Sequence, residues 1–273
     1  MKFGSITTGI ITDGLVFNMD AANRASYPKT GNKTFNTIDT AISGTFNADA
    51  ANRASYSRSG TSVKDTLNNS SGTLINGASF QSTLPLSFDF DGTDDELIFS
   101  NNTAINSLGT LTTDLTLSVW FRNESSAATE QRVYGMYTNQ SYTGGRNITV
   151  IMYGGNLQSY YTNNNGYRYR NIAFTGGSYV NQWFNHTIVF YSGDENATTQ
   201  YLNNVAYAGT TVGSTATFPS SFNFADTTIY LGNNSSHSTK ALDGQVGCFQ
   251  MYTRALSDDE RTHNYNALKG RFN

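Results

Sequence analysis

The stretch LTLSVWF at Leu115–Phe121 decides the fold. Leu115, Leu117, Val119 and Phe121 take every second position, and Thr116, Ser118 and Trp120 lie between them. A period of two places the four apolar residues on one face of a β-strand. The pattern recurs outward along the chain. Leu86, Phe88 and Phe90 alternate with Ser87 and Asp89, and Trp183–Tyr191, Thr228–Leu231 and Val246–Tyr252 are further β-rich runs. Clusters such as GTDD, TGGRN, TNNNG, YSGDEN and LGNNSS punctuate these runs. The chain has 3 prolines, so its turns rely on Gly, Asn and Asp, which tolerate left-handed backbone. Many short strands separated by turns predict an all-β sandwich or jelly roll.

One helix is expected, at the C-terminal end. Ser257 is a natural N-cap with Glu260 three residues on, a capping box. Asp258 and Asp259 suit the positive end of the helix dipole. Tyr265 and Leu268 are placed to face the sandwich, Lys269 suits the C-terminus and Gly270 is the expected stop.

The 273 residues are 37% hydrophobic, enough for one large all-β domain, and only 14% charged, with a net charge of −3. No basic patch stands out, which argues against nucleic acid as the main partner. No run approaches 18 apolar residues, so no membrane span is expected. The single cysteine, Cys248, excludes an internal disulfide framework and is expected to be a small buried hydrophobe. The first residues, MKFGSITTGIITDG, lack the apolar core and cleavage site of a signal peptide. Asn-x-Ser/Thr triplets, as at Asn147 and Asn196, follow from the abundance of these residues and carry little weight.

The octapeptide DAANRASY occurs twice, at Asp20–Tyr27 and Asp49–Tyr56. Both copies continue through Gly, Asp-Thr and Ser-Gly-Thr, which marks a tandem duplication of a strand-turn-strand segment within about 15–76. Two copies are too few for a solenoid. An extra strand pair on the sandwich, or an arm reaching a neighbour, is expected. The organisation is thus an N-terminal lead, residues 1–13, followed by one jelly-roll domain over 14–273.

GLVFNMDAANRASYPKTG at 14–31, SGTLINGASF at 71–80, FDFDGTDDELIF at 88–99 and LTLSVWF at 115–121 follow in series. After them come WFNHTIVFY at 183–191, YLNN at 201–204, IYLGNN at 229–234 and LDGQVGCFQMYTRALSDDE at 242–260. In this order they resemble the concanavalin A-like, laminin-G-like jelly-roll superfamily, most of all its versions in phage and marine-virus structural proteins. The resemblance implies two stacked antiparallel sheets of about six or seven strands each. It also implies a concave face that binds glycans in some relatives, and calcium in some. Two features depart from it. The D-A-A-N segment is present twice, and the family's G-x-I-D-E step reads Gly244-Gln-Val-Gly247-Cys248, which leaves no acidic side chain there for a metal contact.

Three groups are candidate sites. Asp91, Asp94 and Asp95, with Glu96, form the densest acidic cluster. They suit calcium, which takes several carboxylate or carbonyl oxygens, and they suit equally a polar turn whose carboxylates bond local amides. No other cofactor is expected. Asp94 and Glu96 share a strand face at a spacing a glycosidase pair could use, but the E-x-D-x-x-E strand of the glucanase relatives is absent, so no catalysis is expected. His186, His237 and His263 form no metal-binding spacing, and His186 shares the Phe184/Ile188/Phe190 face as an expected core histidine. The third group is aromatic: Tyr153, Tyr160, Tyr161, Tyr167 and Tyr169, with Arg168, in a stretch rich in Asn. Tyrosine rings stack on sugar rings and equally serve protein interfaces.

These features point first to a non-enzymatic virion surface protein, a capsid decoration or cement or a tail or fibre component. It would be made in the host cytoplasm and would act by docking to other virion proteins and to further copies of itself. The alternative is a carbohydrate-binding, lectin-like module that adheres to host-surface glycans.

Overall fold

The computed structural model describes residues 13–20, 46–48, 60–64, 71–100, 102–126, 129–138, 146–163, 166–174, 179–207, 211–213, 217–234 and 240–272. In chain order the first strands are β1 (Leu15–Asp20), β2 (Phe46–Ala48), β3 (Ser62–Lys64), β4 (Ser71–Ile75), β5 (Ser79–Gln81), β6 (Ser87–Asp91) and β7 (Glu96–Phe99). A short helix, α1 (Thr103–Asn106), precedes β8 (Thr110–Leu111), β9 (Leu115–Asn123) and β10 (Gln131–Tyr137). Next come β11 (Arg146–Tyr153), β12 (Asn156–Asn163), β13 (Gly166–Ala173), β14 (Gln182–Tyr191), β15 (Asp194–Leu202) and β16 (Val205–Tyr207). The chain closes with β17 (Thr211–Gly213), β18 (Phe222–Asn223), β19 (Thr228–Leu231), β20 (Asp243–Tyr252) and α2 (Asp258–Phe272).

The strands form two stacked sheets, with a small β8–β18 pair beside them. The first sheet runs β16-β15-β14-β9-β20, and the far edge of β20 is shared. β6, with β5 outside it, pairs along Asp243–Val246. β1, with β2 outside it, pairs along Cys248–Tyr252. The second sheet runs β17-β13-β12-β11-β10-β19-β7-β4-β3. Nine strands in each, among the described residues, exceed the six or seven expected. The surplus is short edge strands such as β2, β3, β16 and β17. Apart from the parallel β1–β2 pair, the named pairings are antiparallel. The octapeptide copies, Asp20 excepted, and the lead up to residue 12 lie outside the described residues.

The alternation at Leu115–Phe121 has the consequence expected of it. β9 lies between β14 and β20, and Leu115, Leu117, Val119 and Phe121 are buried between the sheets. Ile148, Val150 and Met152 face them from β11. Trp120 points the other way and joins Cys248, Leu268 and Phe272 in a second apolar cluster under α2. The capping box forms as expected. The Ser257 amide donates to Glu260 Oε2 at 2.9 Å, and the Glu260 amide donates to Ser257 Oγ at 3.3 Å. The helix does not stop at Gly270 but continues to Phe272. The Phe272 ring stacks on Trp120 at 4.6 Å and 15°, and burying it outweighs the poor helix propensity of glycine.

Candidate functional site

α2 covers the outer face of the first sheet, and the tyrosine-rich stretch lies on the second. Across that sheet one row of directly opposed residues passes from Tyr230 through Gly135, Thr149, Tyr160 and Tyr169 to Val212. Strand neighbours point to opposite sides. Since Ile148, Val150, Leu157, Tyr161 and Ile172 enter the core, this row belongs to the outer face. It becomes more exposed along its length. Tyr230 and Thr149 are buried, Tyr160 and Tyr169 are half-buried, and Val212 is exposed.

At the open end three rings gather. Tyr160 and Tyr169 stack with centroids 4.8 Å apart at 24°. Tyr167 adds its ring 5.6 Å from Tyr160 and 6.3 Å from Tyr169, and is itself 43% exposed. The Tyr160 hydroxyl donates to Gln158 Oε1 at 3.0 Å, which fixes the ring. The other members of the expected set lie elsewhere. Tyr153 is 50% exposed on the same face, at the opposite end of β11 beside Asn156, and joins no ring of the cluster. Tyr161 is buried between the sheets, 5.7 Å from the Phe190 ring and 5.4 Å from Phe218, and burial raises its hydroxyl pKa. Arg168 lies opposite Tyr161 and reaches Glu195 of the first sheet at 3.6 Å. Tyr161 and Arg168 therefore lie on the inner side of the sheet, away from the ring cluster, because adjacent strand residues point to opposite faces. Val212, which no sequence pattern singles out, completes the outer patch.

Asp91, Asp94 and Asp95 do converge, with carboxylate oxygens within 4.8 Å of one another in the β6–β7 turn. Asp95 Oδ2 accepts from the Asp91 amide at 3.0 Å, and Asp91 Oδ1 accepts from the Thr93 amide at 2.8 Å. Asp95 is 3% exposed, and its Oδ1 has no hydrogen-bond partner. Asp243 lies directly opposite Asp91 across the β6–β20 pair. Burial raises the pKa of Asp95 against that backbone hydrogen bond, and the charges of Asp91, Asp94 and Asp89 push it the same way. Burial, then Asp89 and Asp91, raises Asp243. An orphaned buried carboxylate oxygen among repelling carboxylates fits a hard divalent cation such as calcium. Asp243, which adds its charge beside this cluster, was not legible as its neighbour. At the G-x-I-D-E departure, Gly247 gives way to the Phe272 ring, which a Cβ there would meet at 2.3 Å.

Between the sheets His186 is buried as expected. Its Nε2 lies 2.9 Å from Gln200 Oε1 and 3.4 Å from Ser159 Oγ. Burial lowers its pKa to about 4, so the ring is neutral. A serine beside a histidine invites a hydrolase reading. Ser159 is fully buried, however, and Nδ1 has no carboxylate to orient it, so the group lacks access and activation. Glu96 is 1% exposed, which denies the Asp94–Glu96 pair an open face. Cys248 is buried in the cluster under α2.

A model of the concanavalin A-like lectin/glucanases superfamily matches residues 91–260, more than half of the chain. The chain belongs to this superfamily. No curated protein matches the sequence. Solved structures share the fold at low identity. The binding domain of botulinum neurotoxin serotype D/C is 16% identical with a TM-score of 0.58, covering 76% of this chain and 49% of that one. The binding domain of botulinum neurotoxin DC, solved with rat synaptotagmin II, is 15% identical at 0.58 and covers 76% and 51%. The same domain solved with SialylT gives 15% at 0.57, with the same coverage. This superfamily member thus spans about half the length of those chains.

Proposed function

We propose that this concanavalin A-like domain is a non-catalytic recognition module that binds glycans on the outer face of its second sheet. The observation that carries the reading is the gathering of Tyr160, Tyr167 and Tyr169 on that face beside exposed Val212. Tyrosine offers an apolar ring and a polar tip, which suits the C–H face and the hydroxyls of a sugar. The nearby Gln158 amide and Asn171, on the same face, supply further polar groups. The acidic cluster would hold calcium at one end of the sandwich, through Asp91, Asp94 and Asp95. Titration of a broad panel of polysaccharides tests the reading. Millimolar binding that Tyr160→Ala or Tyr167→Ala abolishes supports it, and silence across the panel sinks it.

A second reading is carried by the parallel strand β2 added outside β1 at the end of the first sheet. Such an added edge suits docking, and it supports a surface component of a virus particle that contacts capsid or tail proteins. Quantitative mass spectrometry of purified particles from the source tests it. Absence of the chain from the particle removes this reading and leaves a free lectin-like protein.

A further inference from the structure

The parallel β1–β2 pair joins the two copies of the duplication to each other. Asp20 and Asp49, which begin the two octapeptides, lie 29 positions apart. The register opposes Phe17 to Phe46, Asn18 to Asn47 and Met19 to Ala48, and each pair is also separated by 29 positions. Repeat-equivalent residues therefore stand side by side, and a slip of one residue would destroy the match. β1 in turn pairs with β20, with Phe17 opposite Met251, Asn18 opposite Gln250, Met19 opposite Phe249 and Asp20 opposite Cys248.

We propose that the edge of β20 along Cys248–Tyr252 is a strand-acceptor site that either copy of the duplicated segment of the same chain can fill. Both copies present Phe-Asn-x-Asp in the same order, at 17–20 and 46–49, so either offers the same sequence of partners to β20. The flanking residues rank them. Leu15, Val16 and Met19 stand, relative to Phe17 and Asn18, where Gly44, Thr45 and Ala48 stand relative to Phe46 and Asn47. The more apolar copy occupies the acceptor, and its replacement by the second runs uphill. The second copy waits one strand spacing away, about 4.8 Å. Among the described residues β2 ends the first sheet, and a terminal strand presents unpaired backbone groups to another chain.

Cys248 reports on the occupant. Directly opposed antiparallel residues have Cα atoms about 4.5–5.5 Å apart, within disulfide range. In the full chain under mild oxidation, D20C should link to Cys248 rapidly. D49C places a thiol at the repeat-equivalent position and reaches Cys248 only when the second copy lies beside β20. The expected result is a D49C–Cys248 disulfide at least tenfold slower than that of D20C, absent in the C248S background. A monomer band with the two peptides linked identifies the chain's own second copy as donor. A linked dimer containing the Cys248 peptide, with no linked monomer, would place the donor in a second chain and overturn the proposal. Deleting residues 15–43 should raise the D49C rate toward that of D20C. D49C thiols that never reach Cys248 overturn the proposal whatever D20C does, and so does a deletion variant that cannot fold on the second copy alone.

Discussion

Tyr160 and Tyr169 are direct partners across β12 and β13, and their rings stack 4.8 Å apart on the outer face of the second sheet. Tyr161, one residue from Tyr160, is buried on the inner face. These neighbours therefore separate binding from stability. Tyr169→Ala loses a half-exposed stacking partner and should cost about 1 kcal/mol of stability. It should also weaken the glycan contact by tenfold or more. Tyr161→Ala empties a core position and should cost about 3–5 kcal/mol. Tyr161→Phe removes a hydroxyl with no hydrogen-bond partner and should leave both properties within experimental error. Urea unfolding and glycan titration of the same three variants check the set.

His186 gives the fold a pH dependence. Its pKa, lowered by burial to about 4, lies below the value of 6.5 it takes in the unfolded chain. Between those values the unfolded chain binds the proton and the folded one does not, so stability falls as pH falls from about 6.5 toward 4. The full difference corresponds to about 3 kcal/mol. Denaturation midpoints from pH 7 to pH 4 should show this loss, and His186→Leu should flatten the profile over that window. A slope of the same size in His186→Leu would assign it to other groups.

The carboxylates at and beside the β6–β7 turn predict the opposite sign. Asp95 and Asp243 have raised pKa values, so near neutral pH their charges oppose folding, and acidification to just below the raised values relieves that cost. A divalent cation should do the same at pH 7. Millimolar calcium should raise Tm by a few degrees, and chelator should reverse the gain. Asp95→Asn should raise Tm in chelator by removing one of the mutually repelling charges, and should abolish the response to calcium. A Tm unmoved by calcium in the unmodified chain would leave a polar turn.

The strands and the terminal helix were legible because each rests on local information: a period of two, turn residues, and a capping box four residues long. The sorting of the tyrosines was available in principle, since alternation alone puts Tyr160 and Tyr161 on opposite faces. What it could not supply is which face enters the core, because β12 alternates Leu157 and Tyr161 inward with Gln158 and Tyr160 outward. Hydropathy distinguishes those two sets poorly when both contain tyrosine. Asp243 was beyond reach. It meets Asp91 only because β20 pairs with β6, and no local pattern announces that register. The duplication was plain in the sequence, but the pairing of its copies with each other is a property of the assembled sheet.

Gly247 and Phe272 predict a non-additive pair. A Cβ at Gly247 would meet the Phe272 ring at 2.3 Å and the Trp183 ring at 3.3 Å. Gly247→Ala must therefore displace Phe272 from its stack on Trp120, at a cost on the order of 1–3 kcal/mol. Phe272→Ala removes the ring outright and should cost about 3 kcal/mol. Once Phe272 is gone, the closest obstacle to the added methyl is gone with it. The double variant should thus be much less destabilised than the sum of the single ones, with a coupling of about 1 kcal/mol or more. The emission of Trp120 and Trp183 should shift to the red in each variant, because both rings contact Phe272. Strict additivity in a double-mutant cycle would mean that α2 accommodates the methyl by moving as a body, and that Gly247 is not what seats the helix terminus.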